Sequence, residues 1–146
     1  MSYVTAENAL ITILTGLTGF STANVKAGDY RCLKAGITKA IVLQPGPFTH
    51  NSQANQYLRT QWTINIELYI PFGGEMSTVA SNIRSVRQAV IDHIDKYPTL
   101  DGASGVVLAL LQGAGEPEVW NDGRKYLFRQ VMSLLVEERG TVSYAE

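Results

Sequence analysis

The strict alternation between Trp62 and Ile70 constrains the fold more than any other feature of the sequence. Apolar residues occupy every second position of this stretch, and mostly polar residues fill the positions between them. A period of two sends successive side chains to opposite faces of a strand. The stretch is therefore predicted to be a strand with one buried face, in an antiparallel sheet or at a sheet edge, and Pro71 ends it.

Two other stretches repeat their apolar residues every three or four positions, which predicts helices. Ser77 to Tyr97 carries a single apolar stripe with charged residues on the remaining surface, and Pro98 ends it. Thr5 to Leu17 is predicted to be an earlier helix, with Thr5 as its N-cap and Glu7 in its first turn.

The region from Ser21 to Lys39 has no clear periodicity, and Asp29-Tyr30-Arg31 within it is compatible with a short strand or a loop. Ile37 to Leu43 is rich in β-branched residues and is predicted to be a strand. Pro45-Gly46-Pro47 is predicted to end that strand, because neither proline can donate a ladder hydrogen bond.

The last third of the chain predicts a hairpin. Val106 to Leu111 is predicted to be a buried strand, and Tyr126 to Glu138 a long final strand. Asn121-Asp122-Gly123 supplies the turn signal between them. Gly113, Gly115 and Pro117 are predicted to bulge or break the first arm.

These elements predict one domain of the α+β class. The order is α-β-β-α-β-β, and 146 residues are enough for one domain with its own core. Such a grouping favours a mainly antiparallel sheet with both helices packed on one face.

Composition excludes several classes of protein. Apolar residues make up 45% of the chain, which is too many for a disordered protein. The net charge of −1 argues against tight nucleic-acid binding, which needs a basic surplus. The single cysteine, Cys32, excludes an internal disulfide and fits a reducing cytoplasm. No signal peptide or membrane-spanning segment is predicted.

No constellation of catalytic, metal-binding or phosphate-binding residues stands out. Cys32 with His50 or His93 is the only candidate thiol pair, and nothing in the sequence fixes their separation. The two histidines are interpreted as solvated, since they lack metal-ligand spacing. Gly113-Ala114-Gly115 lacks the third glycine and the following helix of a phosphate loop. No cofactor is expected, and aromatic residues of the strands are expected to pack rather than stack bases: Trp62, Trp120, Tyr126 and Phe128.

The polar stretch from Phe48 to Tyr57 is predicted to be a long loop. Two interpretations of it stay open: a solvated loop, or a contact that becomes ordered only within an assembly. Its end residues are of the types that anchor protein interfaces. The candidate interface residues are Phe48, His50, Asn51, Gln53, Asn55, Gln56, Tyr57 and Arg59.

Three segments resemble the tail terminator (tail-completion) proteins of siphophages. Gln56 to Tyr69 is similar to the central strand of that family, Ser81 to Val90 to the helix that follows it, and Lys125 to Glu137 to its closing strand. An N-terminal helix precedes these segments in this chain and in the family. The resemblance covers most of the chain and is one of element order and texture, without an invariant motif.

The resemblance implies a structural protein of the virion and not an enzyme. It implies a hexameric ring that caps the tail tube, stops tail polymerisation and offers a docking surface to the head connector. The implied partners are further copies of the chain, the tail tube protein and the head-completion protein. DNA would pass through the lumen without sequence-specific binding, and no membrane is involved. The implied location is the host cytoplasm during assembly and then the virion neck.

Three alternatives remain open from the sequence. The first is another neck, head-completion or minor tail protein, whose sequences share the same texture. The second is a small cytoplasmic enzyme that uses Cys32. The third is a module that binds a small ligand between sheet and helices.

Overall fold

The structure is a computed structural model that describes residues 3–28, 39–53, 57–71, 76–103, 105–121 and 126–141. Two helices and six strands follow one another in these residues. They are α1 (Tyr3–Thr15), β1 (Val25–Ala27), β2 (Ala40–Gln53), β3 (Tyr57–Pro71), α2 (Met76–Asp95), β4 (Val106–Ala114), β5 (Glu118–Asn121) and β6 (Tyr126–Thr141).

The strands form one open sheet in the order β1-β2-β3-β6-β4, and β5 pairs with β6 beyond the end of β4. Strands β2, β3, β6 and β4 alternate in direction, and only the three-residue β1 runs parallel to its neighbour. The predicted α+β class with a mainly antiparallel sheet is therefore confirmed. Strand β1 was not predicted, because three residues are too few to show a period.

Both helices pack on one face of the sheet, as predicted. Leu10 and Leu14 of α1 and Val90 and Ile94 of α2 join the even-numbered apolar residues of β3 in one buried core. The apolar positions of the alternation in β3 are therefore the ones that face the helices: Ile64, Ile66, Leu68 and Ile70.

The opposite face of the sheet is also partly buried, which the alternation in β3 did not predict. Ala40, Val42, Tyr69 and Leu127 form a second, smaller apolar cluster there, and each is almost inaccessible to solvent. Strand β3 is therefore buried on both faces near its C-terminal end, although its sequence predicts one buried face.

The helix bounds differ from the prediction at their first turns. Helix α1 already includes Tyr3, so Thr5 lies inside the helix and is not its N-cap, and Glu7 falls outside the first turn. Helix α2 extends from Met76 to Asp95, close to the predicted range. The described residues contain no helix that is both long and apolar enough to cross a membrane.

Candidate assembly surface

The predicted loop after Pro47 is largely a strand. Residues 48–53 belong to β2 and pair antiparallel with β3, from Phe48 opposite Trp62 to Gln53 opposite Tyr57. The prediction was wrong because this part of β2 lies beyond the apolar core, so that its polar side chains need no alternation. The ladder with β3 satisfies its backbone instead.

Pro45-Gly46-Pro47 does not end the strand but bulges it. The register shifts between Pro45 and Phe48, where β2 carries one more residue than β3. Strand β1 pairs with β2 only as far as Leu43. Among the described residues, the outer side of β2 has no partner strand at the prolines, so their missing N–H groups cost no ladder hydrogen bond there.

The three long strands continue from the end of the core as a distal ribbon, which consists of residues 48–53 of β2, 57–62 of β3 and 136–141 of β6. Trp62 and Val136, at its start, still contact the core. The ribbon holds six of the candidate interface residues. Phe48 and His50 project from one face of the ribbon, and Asn51 and Arg59 are paired positions on the other. Gln53 lies opposite Tyr57 at the end of the hairpin. Asn55 and Gln56 lie outside the described residues, as does Cys32.

An aromatic patch occupies the helix-side face of the ribbon and consists of Phe48, His50 and Trp62. The ring centroids of Phe48 and Trp62 are 5.2 Å apart, and those of Phe48 and His50 are 5.3 Å apart. Tyr3 of α1 meets Trp62 edge-on at 5.9 Å and links the patch to the core. Phe48 is nevertheless 55% exposed, which is unusual for a large apolar ring.

Polar side chains hold the rings of the aromatic patch in place. The indole Nε1 of Trp62 donates to Oε2 of Glu138 at 2.9 Å. Nδ1 of His50 lies 2.7 Å from the hydroxyl of Thr60. His50 is exposed, as interpreted from the sequence, but the contact with Thr60 fixes its ring.

An ion-pair network occupies the other face of the ribbon. The Nε of Arg59 lies 2.5 Å from Oε1 of Glu137, which also accepts a hydrogen bond from Gln61 at 3.3 Å. Arg139 approaches the second oxygen of Glu137 at 3.4 Å. Burial alone raises the pKa of Glu137, but the hydrogen bonds from Arg59 and Gln61, with the two arginine charges, outweigh it and lower this pKa.

A second exposed apolar patch, the β4 patch, lies on the strand at the opposite edge of the sheet. It consists of Val107, Leu108 and Leu110, which are 42%, 39% and 47% exposed. The prediction of a buried strand here was wrong, because only Ala109 is buried among the nine residues of β4. An edge strand covered on one face turns its alternate side chains to solvent even when they are apolar.

The predicted hairpin of the last third is confirmed, with β4 and β5 together as its first arm. Asn121 lies opposite Tyr126, so the turn signal falls between paired ends. The register shifts between Leu111 and Gly113, and the backbone N–H of Gly115 donates to Val131 at 2.9 Å. Gly113-Ala114-Gly115 is thus a bulged strand end.

His93, the other histidine of the sequence, performs a structural role. Its Nε2 donates to the backbone carbonyl of Ile13 at 2.7 Å, at the end of α1, and its ring packs against Tyr97. The prediction of a solvated side chain was wrong for His93, which is half-buried. Trp62 and Phe128 pack against the core as expected, whereas the side chains of Trp120 and Tyr126 lie outside the described part.

The sequence pointed to residues 48–59 as a candidate surface, but as a loop, and it did not reveal the residues on β3 and β6 that hold this part of β2. Trp62, Thr60, Glu137 and Glu138 are contributed by β3 and β6, and their contacts cross from one strand to the next. The only signal in the sequence for these contacts was the pair Glu137 and Glu138, two adjacent charged residues at the end of a predicted strand. Within the described residues, no three His, Cys, Asp or Glu side chains gather as a metal site requires.

The comparisons with known proteins add no family assignment. No protein-family model matches the chain, and no curated protein matches it either.

Proposed function

We propose that this chain is a structural subunit that closes into a ring with copies of itself and completes a bacteriophage tail. By the resemblance to siphophage tail terminators, the ring is hexameric, caps the tail tube, stops its polymerisation and receives the head connector. The subunit performs no chemistry in this role.

The observation that carries the proposal is the presence of two different exposed apolar patches on opposite edges of one sheet. Phe48 and His50, the exposed members of the aromatic patch, lie on β2, and the β4 patch lies on β4, three strand spacings away. A ring requires a heterologous interface, in which two unlike surfaces meet around a rotation axis. The two outer strands are such surfaces. The aromatic patch faces the helix side of the sheet and Leu110 faces the other side, so the strands meet edge to edge and the patches flank the contact. Exposed large apolar side chains gathered in one place mark protein contacts more often than single ones do.

The distal ribbon supports the same role because it is polar yet ordered. The ion pair of Arg59 with Glu137 and the hydrogen bond from Trp62 to Glu138 join β3 to β6 within the ribbon. A ribbon held in this way can present a fixed surface to a partner at little further loss of conformational entropy. Such pre-organisation suits a component that has to fit onto an existing tube end.

The near-neutral net charge agrees with a ring through which DNA passes without being bound tightly. The chain carries 12 basic and 13 acidic residues, so binding by release of counterions from phosphates has little basis. In this proposal the partners are copies of the chain, the tail tube protein and the head-completion protein.

The test is sedimentation velocity at several protein concentrations, combined with negative-stain microscopy with and without purified tail tubes. We expect a monomer or weak oligomer at low concentration and closed rings at high concentration or on tube ends. A compact dimer that never forms rings would contradict the proposal. Pull-downs with tube and connector proteins separate a terminator, which binds both, from another neck component, which binds the connector alone.

A further inference from the structure

Charged residues are distributed unusually across the sheet. The central strands β3 and β6 carry Arg59, Glu67, Arg129, Glu137, Glu138 and Arg139. The outer long strands β2 and β4 carry no charged residue along their whole length. Monomeric sheet proteins show the opposite arrangement, because lysines and other charges on edge strands prevent pairing with other chains.

The charges of the central strands are used within the sheet itself. Arg59 and Arg139 pair with Glu137, and Arg129 pairs with Glu67. Glu118 of β5 is a second partner of Arg129 at 2.9 Å. All of these pairs except Arg139 with Glu137, which lie in the same strand, join neighbouring strands, and none places a charge at the outer sides of β2 and β4.

Parts of both outer strands lack a partner among the described residues. Strand β1, with its Lys26, pairs with β2 only as far as Leu43. From Phe48 to Gln53, β2 contains no proline, and every residue keeps its backbone N–H. On β4, the carbonyl of Pro98 accepts the N–H of Ala109 at 2.7 Å, which leaves Leu110 to Ala114 without a described partner on the outer side.

These two segments match each other in length and direction. Each is five or six residues long, which is an ordinary strand length. Strands β2, β3, β6 and β4 alternate in direction, so β4 runs opposite to β2. If the sheet of one copy continues into that of the next, β4 meets β2 antiparallel, which is the more stable ladder.

We infer that the outer side of β4 at residues 110–114 of one copy pairs with the outer side of β2 at residues 48–53 of the next copy. This inference rests on the proposed ring and specifies its interface. Pairing of β4 with itself would stop at two copies and leave β2 uncovered, whereas pairing of β4 with β2 satisfies both edges in every copy of a closed ring.

Thiol crosslinking tests this junction. Thr49 and Leu110 are both exposed and both lie on the sheet face opposite the helices, so a continued sheet brings their side chains to the same side. In a Cys32→Ser background, Thr49→Cys and Leu110→Cys are made as separate proteins and mixed with a short bismaleimide. Ala89→Cys, on the exposed side of α2, replaces either partner as the matched control.

We expect a crosslinked dimer in the Thr49→Cys and Leu110→Cys mixture that the Ala89→Cys mixtures lack. The double variant is expected to give a ladder of higher multimers. Dimers from Leu110→Cys alone would show that β4 pairs with itself and would overturn the inference. If sedimentation shows rings but Thr49→Cys and Leu110→Cys do not crosslink to each other, the inferred junction is wrong while the ring proposal stands. Absence of any oligomer would remove both.

Discussion

Glu137 lies at the centre of the ion pairs that order the distal ribbon. Its side chain is only 8% exposed, while its partners Arg59 and Arg139 reach the solvent. A buried carboxylate is costly unless it is paired and hydrogen-bonded, and three neighbouring side chains meet that need here. The pairing therefore makes the ribbon sensitive to the charge state of one residue.

Replacing Glu137 by Gln is expected to destabilise the protein by about 1–2 kcal/mol at neutral pH, because hydrogen bonds to a charged group are lost and exposed arginines recover part of the loss in water. The pKa of Glu137 is lowered on folding. Its contribution is therefore complete above the unfolded pKa of a glutamate and disappears as the pH falls through the folded value. Urea unfolding across acidic pH measures this. Glu116→Gln, at an exposed site, is the control: it retains Glu137, so its stability should follow the pH dependence of the parent.

His93 joins the two helices through a single hydrogen bond to Ile13 at the end of α1. Replacing His93 by Ala is expected to lower the free energy of unfolding by about 1 kcal/mol, since one hydrogen bond and a ring contact with Tyr97 are lost. Replacing it by Gln keeps a donor and should recover part of the loss. Equal stability of the Ala variant and the parent in chemical denaturation would show that the contact contributes nothing.

At the scale of elements, the bulge in β2 depends on close approach of two backbones. A Cβ placed on Gly46 would lie 3.0 Å from Cγ2 and 3.1 Å from the backbone oxygen of Thr63. The neighbouring strand has no flexible side-chain end that can move aside, so a methyl group forces the strands apart.

Replacing Gly46 by Ala is expected to destabilise the protein by about 1–3 kcal/mol, the usual cost of overpacking. Gly113→Ala is the matched control, because it lies in the other bulged strand and its Cβ would meet nothing within 4 Å. Thermal unfolding of both variants provides the comparison. A Gly46→Ala protein as stable as Gly113→Ala would show that β2 can move away from β3 without loss.

Elements with one buried face could be predicted from the sequence, and the others could not. α2 and β3 display their periods because each turns an apolar stripe toward the helix-side core, although Tyr69 of β3 is also buried on the opposite face. The end of β2 gave no period because its residues from Phe48 to His50 are exposed, and a polar strand looks like a loop. The error for β4 was the reverse: its run of apolar residues predicted a buried strand, but most of its residues are exposed, and the sequence pattern does not distinguish the two cases.

The candidate surface was predictable at its position but not in its contacts. Phe48 and Arg59 were identified from residue type, yet they project from opposite faces of the ribbon, a separation that depends on the bulge at Pro45 and Pro47. The β4 patch could not be foreseen, because exposure of Leu110 follows from the strand order and not from local sequence. Long-range pairing of strands is the information that a single sequence lacks.

At the scale of the whole molecule, the ring proposal distinguishes two residues that are equally exposed. Phe48 on the ribbon is 55% exposed and Val4 on α1 is 57% exposed, but only Phe48 belongs to one of the two opposed patches. Replacing Phe48 by Ser is expected to weaken self-association at least about tenfold, the effect of losing about 1.4 kcal/mol at an interface anchor. Val4→Ser should leave association unchanged. Sedimentation equilibrium gives both constants, and circular dichroism verifies that each variant is folded. If the two substitutions weakened association equally, or if neither did, the aromatic patch would not be a ring contact, and the heterologous interface would have to lie elsewhere on the chain.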